Sequence, residues 1–324
     1  MNVAFYRIDS VERRTTEFPG ACAGLMWGWG DIVKGLESER RLPLGSADSD
    51  PQGSPAGQAT ADQGEAVLVR AVAAYRAALG SRLIAGYALG SLAHGGFSPL
   101  VSDVDLGLIL EDPVRVKDGL TIRTVARSVK AGGSALDQRL SVFWGTPATL
   151  QGLSRGGRFP PLDRLDLLEY GRLLTGTDAR SAVARPDRTE LLVAGAEFAL
   201  GSLDRTTEIR TPSRLVSAGL RRMTKVVLFP VRFLFTAQTG EVGTNTLAAR
   251  HYLASPDVPA TSLVAAALAW RHEPPPRGEA AALLSRELVP LFVHYLDDHI
   301  ARLSAVDQHR LADRFRRWRT RLLA

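Results

Sequence analysis

Two carboxylates, Asp103 and Asp105, are separated by one residue in the segment LIAGYALGSLAHGGFSPLVSDVDLGLIL, residues 83–110. On a strand, residues i and i+2 face the same side, so these two project together while Val104 and Leu106 point the other way. Carboxylates held side by side repel unless a cation or a proton joins them. A hard divalent cation is the natural solution, and Mg²⁺ often takes one or two carboxylates with phosphate oxygens and water. Gly90-Ser91 lies before Asp103 with eleven residues between, at the end of another apolar run. A glycine without a Cβ, backbone amides and a hydroxyl suit the tail phosphates of a nucleotide. The GSLAHGG stretch lacks the GK[ST] ending of a P-loop, so a Walker-type site is excluded.

These groups need rigid elements to hold them. Apolar periodicity predicts a helix over 65–79, strands over 83–89 and 104–110, a helix over 114–130 and a strand over 138–144. A short helix over 162–170 and a brief extended piece over 172–176 follow. The remainder reads as helices over 190–203, 213–239, 244–254, 261–270, 280–303 (interrupted at Pro290) and 306–323. The fold class expected is therefore α+β or α/β: a small-sheet domain over 64–178 followed by a helical domain over 179–324. Residues 43–63 are rich in Pro, Gly, Ser, Asp and Gln and are expected to be a disordered linker after an uncharacterised segment.

Gly90-Ser91, the eleven-residue spacing and Asp103-Val104-Asp105-Leu106 resemble the DNA polymerase β-like nucleotidyltransferase superfamily. The nearest subgroup is the streptomycin/spectinomycin-type adenylyltransferases, which share a GS…SD-h-DL segment (h, hydrophobic) and a C-terminal helical domain. The resemblance is specific over 87–110 and looser over the rest of 65–260. It implies a small mixed-sheet nucleotidyltransferase domain. It also implies Mg²⁺ at Asp103 and Asp105, nucleotide phosphates at Gly90 and Ser91, and attack of a hydroxyl on the α-phosphorus with pyrophosphate leaving.

The family adds a third carboxylate on a later strand. Here the aligned position in LDQRLSVFWGT falls on Arg139, and Asp137, two residues earlier, is the candidate for that role. A bulge or short register shift would bring it in; the alternative is an Asp that caps a turn. In the helical domain, Arg232 stands eight residues before Gly240, where the family has an Arg on the nucleotide phosphates. The alternative for Arg232 is a structural ion pair. Asn245 stands in place of the family's next basic residue.

The acceptor side departs further. Where aminoglycoside enzymes carry Trp and acids, SRLVSAGLRRMTK offers Arg221 and Arg222 and no acid. Two cations repel a cationic drug, which points to a neutral or anionic acceptor unless both are merely solvated. His94 is a weaker candidate for the nucleotide site. His251 and Tyr252 read as packing residues, and GRLLTGTD (171–178) as an inter-domain structural element.

Composition narrows the alternatives. The 324 residues are 45% apolar and 23% charged, enough for sizeable cores and too apolar for wholesale disorder. Mean hydropathy is -0.02, and the longest apolar stretch, 226–237, contains Pro230 and Arg232, so no membrane span is expected. Charges near the N-terminus leave no export signal, and a single cysteine, Cys22, excludes a disulfide framework. A cytoplasmic protein is expected. Of the net charge of +6, the last 26 residues supply most, with seven Arg against two Asp. A terminal excess argues against a nucleic-acid groove.

The expected function is transfer of a nucleoside monophosphate, AMP from ATP or that of another NTP, to a small-molecule hydroxyl. A protein-adenylylating, antitoxin-like enzyme and a catalytically weak nucleotide-binding protein are the alternatives.

Overall fold

The computed structural model describes residues 61–324. The expectations for 1–42 and for most of the 43–63 linker lie outside the described residues. The last three linker residues, 61–63, instead form the first turn of helix α1 (Ala61–Leu79). That helix extends because Gly64, Val67 and Leu68 are buried.

Four strands make one sheet: β1 (Leu83–Leu89), β2 (Val104–Leu110), β3 (Leu140–Gly145) and β4 (Arg172–Gly176), in the order β3-β2-β1-β4. β2 pairs antiparallel with β1 and parallel with β3, and β4 runs antiparallel to β1 at the edge. The sheet is therefore mixed. The segment 171–178 is not an inter-domain element: it supplies this edge strand, and Asp178 beyond it accepts a hydrogen bond from Tyr87 of β1 at 2.9 Å.

Alternation along β2 decides where the site lies. Val104, Leu106, Leu108 and Leu110 pack with α1 and Ile122 of α3 (Val116–Lys130). Ile109 packs on the opposite face with Tyr87, Leu89 and Phe143. Asp105 shares the parity of Ile109 and so emerges on that second face. Between β1 and β2 runs α2 (Gly90–His94), a short helix absent from the sequence reading. Two more helices follow β3: α4 (Pro147–Leu150) and α5 (Pro161–Tyr170), the latter on the Asp105 face.

The chain then becomes wholly helical: α6 (Arg188–Ser202), α7 (Thr206–Arg210), α8 (Pro212–Ser217), α9 (Leu220–Thr239), α10 (Asn245–Ala254), α11 (Thr261–Ala269), α12 (Arg277–Ala305) and α13 (His309–Leu323). The single helix expected over 213–239 is two, parted at Gly219, whose φ of 93° is a left-handed conformation that glycine adopts freely. The interruption expected at Pro290 is not there: α12 runs through it. A mid-helix proline costs about 3 kcal/mol or more. Its neighbours Leu288, Leu291 and Phe292 are fully buried and hold the helix in place. The helical core gathers around Phe292, Tyr295, Phe315 and Trp318.

Four of the seven arginines near the C-terminus are tied down within the chain. Arg302 pairs with Asp298, Arg316 with Asp313, Arg319 with Asp297 and Arg321 with Asp204. No helix among the described residues is long and apolar enough to cross a membrane. The two halves are also joined beside the site. Ser98, in the loop before β2, donates to the Arg271 carbonyl, and the Arg271 side chain donates to the Gly96 carbonyl.

Candidate active site

A cavity opens between the second face of the sheet and the helical half. Gly90, Asp103, Asp105 and Arg232 all line it, together with His94. The structure thus brings four residues singled out in the sequence to one place. Ser91 occupies the same turn but does not line the cavity.

Asp103 stands just before β2 and is met from across the cavity. Arg221 donates to Oδ1, and Lys225 donates to Oδ2 at 2.5 Å. Burial would raise the Asp103 pKa, but the two cations outweigh it and hold the carboxyl below its usual range. Burial pulls the Lys225 ammonium down despite Asp103. Asp105 behaves oppositely. Burial, with the negative charges of Asp103, Asp163 and Asp166 nearby, holds it well above the carboxylate range.

Gly90 fits against Asp105. Its φ is +59°, and a Cβ there would lie 2.4 Å from Asp105 Oδ2. Any side chain at position 90 would therefore displace the carboxylate. The Gly90 amide donates to Asp166 Oδ2 at 2.6 Å, so a protein carboxylate takes the donor that the sequence reading offered to a phosphate.

Asp163 and Asp166 lie one turn apart on α5 and were missed in the sequence. Asp163 Oδ2 and Asp166 Oδ1 are buried without hydrogen-bond partners. Burial, and then the charge of Asp166, push Asp163 up to about 7. Arg232 is the counter-charge among these acids, interacting with Asp166, Asp105 and Asp163. It also donates through Nε to the Gly243 carbonyl and lies over the Phe229 ring, 5.5 Å from its centroid.

Asp137 is not brought to the site. A 3-10 turn, Asp137–Arg139, precedes β3 and breaks the alternation assumed for a strand starting at 138. The side chain instead accepts from Arg70 at 2.6 Å and from the Ser134 hydroxyl at 2.7 Å. It caps a turn and tethers α1. Arg139 donates to the Pro99 carbonyl at 2.8 Å. On β3 the residue in register with Asp105 is Ser141, which lines the cavity with no charge.

Arg221 and Arg222 are not a free cationic pair. Arg221 is bound to Asp103, and Arg222 is buried against Glu208 at 2.6 Å. The acids that neutralise them lie far away in sequence or on another helix. The repulsion expected from two bare guanidiniums is therefore reduced to what Arg221 and Lys225 retain beyond Asp103. Asn245 opens α10, whose N-cap is Thr244. His94 is packed edge-on to Tyr170 at 5.5 Å, and burial lowers its pKa. His251 contacts Gln238 at 2.9 Å, and Tyr252 donates to the Pro259 carbonyl at 2.8 Å, both within the helical half.

Lys225 was also missed, although a signal was present. Arg221, Lys225, Phe229, Arg232, Phe233 and Thr236 follow helical spacing on α9, and all line the cavity. Lys225 is moreover one of only four lysines in a chain whose other 36 basic residues are arginines. Among the described residues no cluster of three or more His, Cys, Asp or Glu side chains forms a ready metal cage.

No family model and no curated protein sequence matches the chain. Among solved structures, the chain is similar to spectinomycin adenyltransferase AAD(9) from Enterococcus faecialis, determined with ATP and spectinomycin. The identity is 15% and the TM-score 0.46, over 69% of this chain and 98% of that one.

Proposed function

We propose that the chain is a Mg²⁺-dependent nucleotidyltransferase that moves a nucleoside monophosphate, AMP from ATP, onto a hydroxyl of a small molecule. The observation that carries this reading is the wall formed by Asp103, Asp105 and Gly90, facing Arg232 and Lys225 across one cavity. A pair of strand carboxylates fitted against a side-chain-free turn, opposite cations, is what a metal-bound triphosphate needs.

The residues fit the metal in the form that Mg²⁺ prefers. Asp103 and Asp105 supply one or two carboxylates, and substrate phosphates and water supply the rest, so no third protein ligand is required. The two partnerless oxygens of Asp163 and Asp166 keep the surroundings electron-rich. When bound there, the metal would supply Lewis acidity and neutralise phosphate charge.

The chain's own groups do the remaining work. Arg232 holds the triphosphate, and the Gly90–Ser91 turn receives a phosphate oxygen at the amide now given to Asp166. The acceptor oxygen forms a bond to the α-phosphorus, the bond to the bridging oxygen of the β-phosphate breaks, and pyrophosphate leaves. The acceptor's proton passes to a cavity carboxylate.

One observation favours a second reading, a nucleotide-binding protein with little transfer activity. Ser141 stands where a β3 carboxylate would flank Asp105, and Lys225 and Arg221 already neutralise Asp103.

The test is pyrophosphate release from each NTP with Mg²⁺ across a panel of hydroxyl acceptors, repeated with EDTA. Acceptor-dependent release that stops on chelation supports transfer. Metal-dependent ATP binding with no release from any acceptor moves the assignment to the second reading. A labelled protein band from lysate and labelled ATP would make the acceptor a protein.

A further inference from the structure

The cavity has two chemically different ends along α9. Arg232 marks one, with Asp166, Asp163 and Gly90 around it. Arg221 marks the other, eleven residues away, or about 16 Å at the helical rise. Between them lies Phe229, with Arg232 at 5.5 Å and Lys225 Nζ at 5.8 Å from its ring centroid.

The Arg221 end carries surplus positive charge. Arg221 and Lys225 share one carboxylate, Asp103, while Arg222 is balanced by Glu208. Arg221 Nε is buried without a hydrogen-bond partner. A site that binds two cations to one acid has affinity left for another anion.

From its middle to the Arg232 end the cavity wall is apolar. Phe198, Phe229 and Phe233 pack with ring centroids 5.3, 5.5 and 6.0 Å apart. All three are half-buried and line the cavity, so part of each ring stays open to it. An open aromatic wall beside a cation surplus recognises a flat apolar body that bears a negative group.

Resting on the nucleotidyl-transfer reading, we propose that the acceptor subsite runs from Arg221 and Lys225 onto the Phe198–Phe229 wall and that the acceptor is a hydroxycarboxylic acid with an aromatic ring. The carboxylate meets Arg221 and Lys225, the ring lies on the phenylalanine wall, and the hydroxyl at the far side of the ring points along α9 toward the Arg232 end, where the nucleotide is proposed to sit. The class differs from the cationic aminocyclitols by charge as well as by polarity.

The experiment is calorimetry on the full chain with Mg²⁺ and α,β-methylene ATP. The probes are 4-hydroxyphenylacetate, the neutral 4-hydroxyphenylethanol and the cationic tyramine, with spectinomycin as a cationic, non-aromatic control. The anion is expected to bind roughly tenfold tighter than the neutral probe and tyramine weakest, in line with one charge-assisted contact. Lys225→Met should erase the advantage of the anion over the neutral probe, and Phe198→Ala should weaken all three phenols together. Phe198→Ala should not move the affinity for the ATP analogue more than about twofold, well under the tenfold of one such contact. Tyramine or spectinomycin binding best, no phenol binding at all, or Phe198→Ala weakening the ATP analogue in place of the phenols would overturn the assignment. The ranking on the unaltered chain stands even if a variant folds poorly. The ATP analogue is titrated alone beforehand: a chain that binds none overturns the transfer reading, whereas a wrong probe ranking on a chain that binds it overturns the subsite alone.

Discussion

Lys225 of α9 reaches across the cavity to Asp103 at the mouth of β2, and Arg221, one turn earlier, holds the other oxygen of the same carboxylate. The helical half thereby neutralises the acid on which the sheet half's proposed chemistry depends. Asp103→Asn should abolish pyrophosphate release. It should also lower stability by about 1–3 kcal/mol, because two partly buried cations lose their partner. Adding Lys225→Met should recover part of that stability without recovering activity. Thermal unfolding of the two single variants and the double variant checks this. Additive losses would mean that the pair is not coupled.

Gly90→Ala should be far more damaging than its size suggests. The new Cβ would sit in a left-handed conformation against Asp105 Oδ2, so the carboxylate must turn away. The expected result is a loss of transfer of roughly a hundredfold or more, the scale of displacing a group that must be positioned for reaction. Secondary structure by circular dichroism should be unchanged. Near-normal turnover would show that Asp105 need not stay where it is.

Asp137→Asn is the contrasting case. Activity should be retained, since Asp137 faces Arg70 and Ser134 rather than the cavity. Stability should fall by about 1 kcal/mol, because Arg70 is half-exposed and its ion pair is screened. Burial raises the Asp137 pKa, but the hydrogen bonds from Ser134 and Arg70 bring it below 3.8. A depressed pKa contributes stability above the unfolded value and loses it as pH falls through the folded one. The difference between variant and parent should thus be full near neutrality and shrink below about pH 4, the ordinary carboxylate value.

Asp163→Asn should do the reverse. Its pKa of about 7 lies above the unfolded value of 3.8, so its contribution is greatest below 3.8 and is lost as pH rises toward 7. The asparagine variant escapes that loss. Its melting temperature relative to the parent should rise between pH 5 and pH 8. A flat difference over that range would place the titration elsewhere.

Much of the sheet half was legible because its signals are local. β1, β2 and β4 lie where short apolar runs bounded by glycine, Pro or acidic turns placed them. Strand parity put Asp103 and Asp105 together, and the resemblance to the nucleotidyltransferases pointed to Gly90 and Arg232, all four of which line one cavity. What stayed hidden depends on the tertiary partner. Asp163 and Asp166 sit in PLDRLDLLEY, where an acid at i and i+3 looks like any solvated helix face until α5 is laid on the sheet. Asp137 failed for the opposite reason: a three-residue turn altered the direction of its side chain. Arg222 read as free because Glu208 belongs to α7, a five-residue helix too short for periodicity to reveal.

The clasp of Ser98 and Gly96 on Arg271 makes the cavity a joint property of two stretches of chain that are more than 170 residues apart. Cut between β4 and α6, the polypeptide would yield one fragment with the acids and another with most of their counter-charges. At the cavity wall the charges of each fragment alone would be unbalanced, and each would complement the other there. Co-expression of the two pieces would therefore act as a split reporter, in which recovered pyrophosphate release marks reassembly.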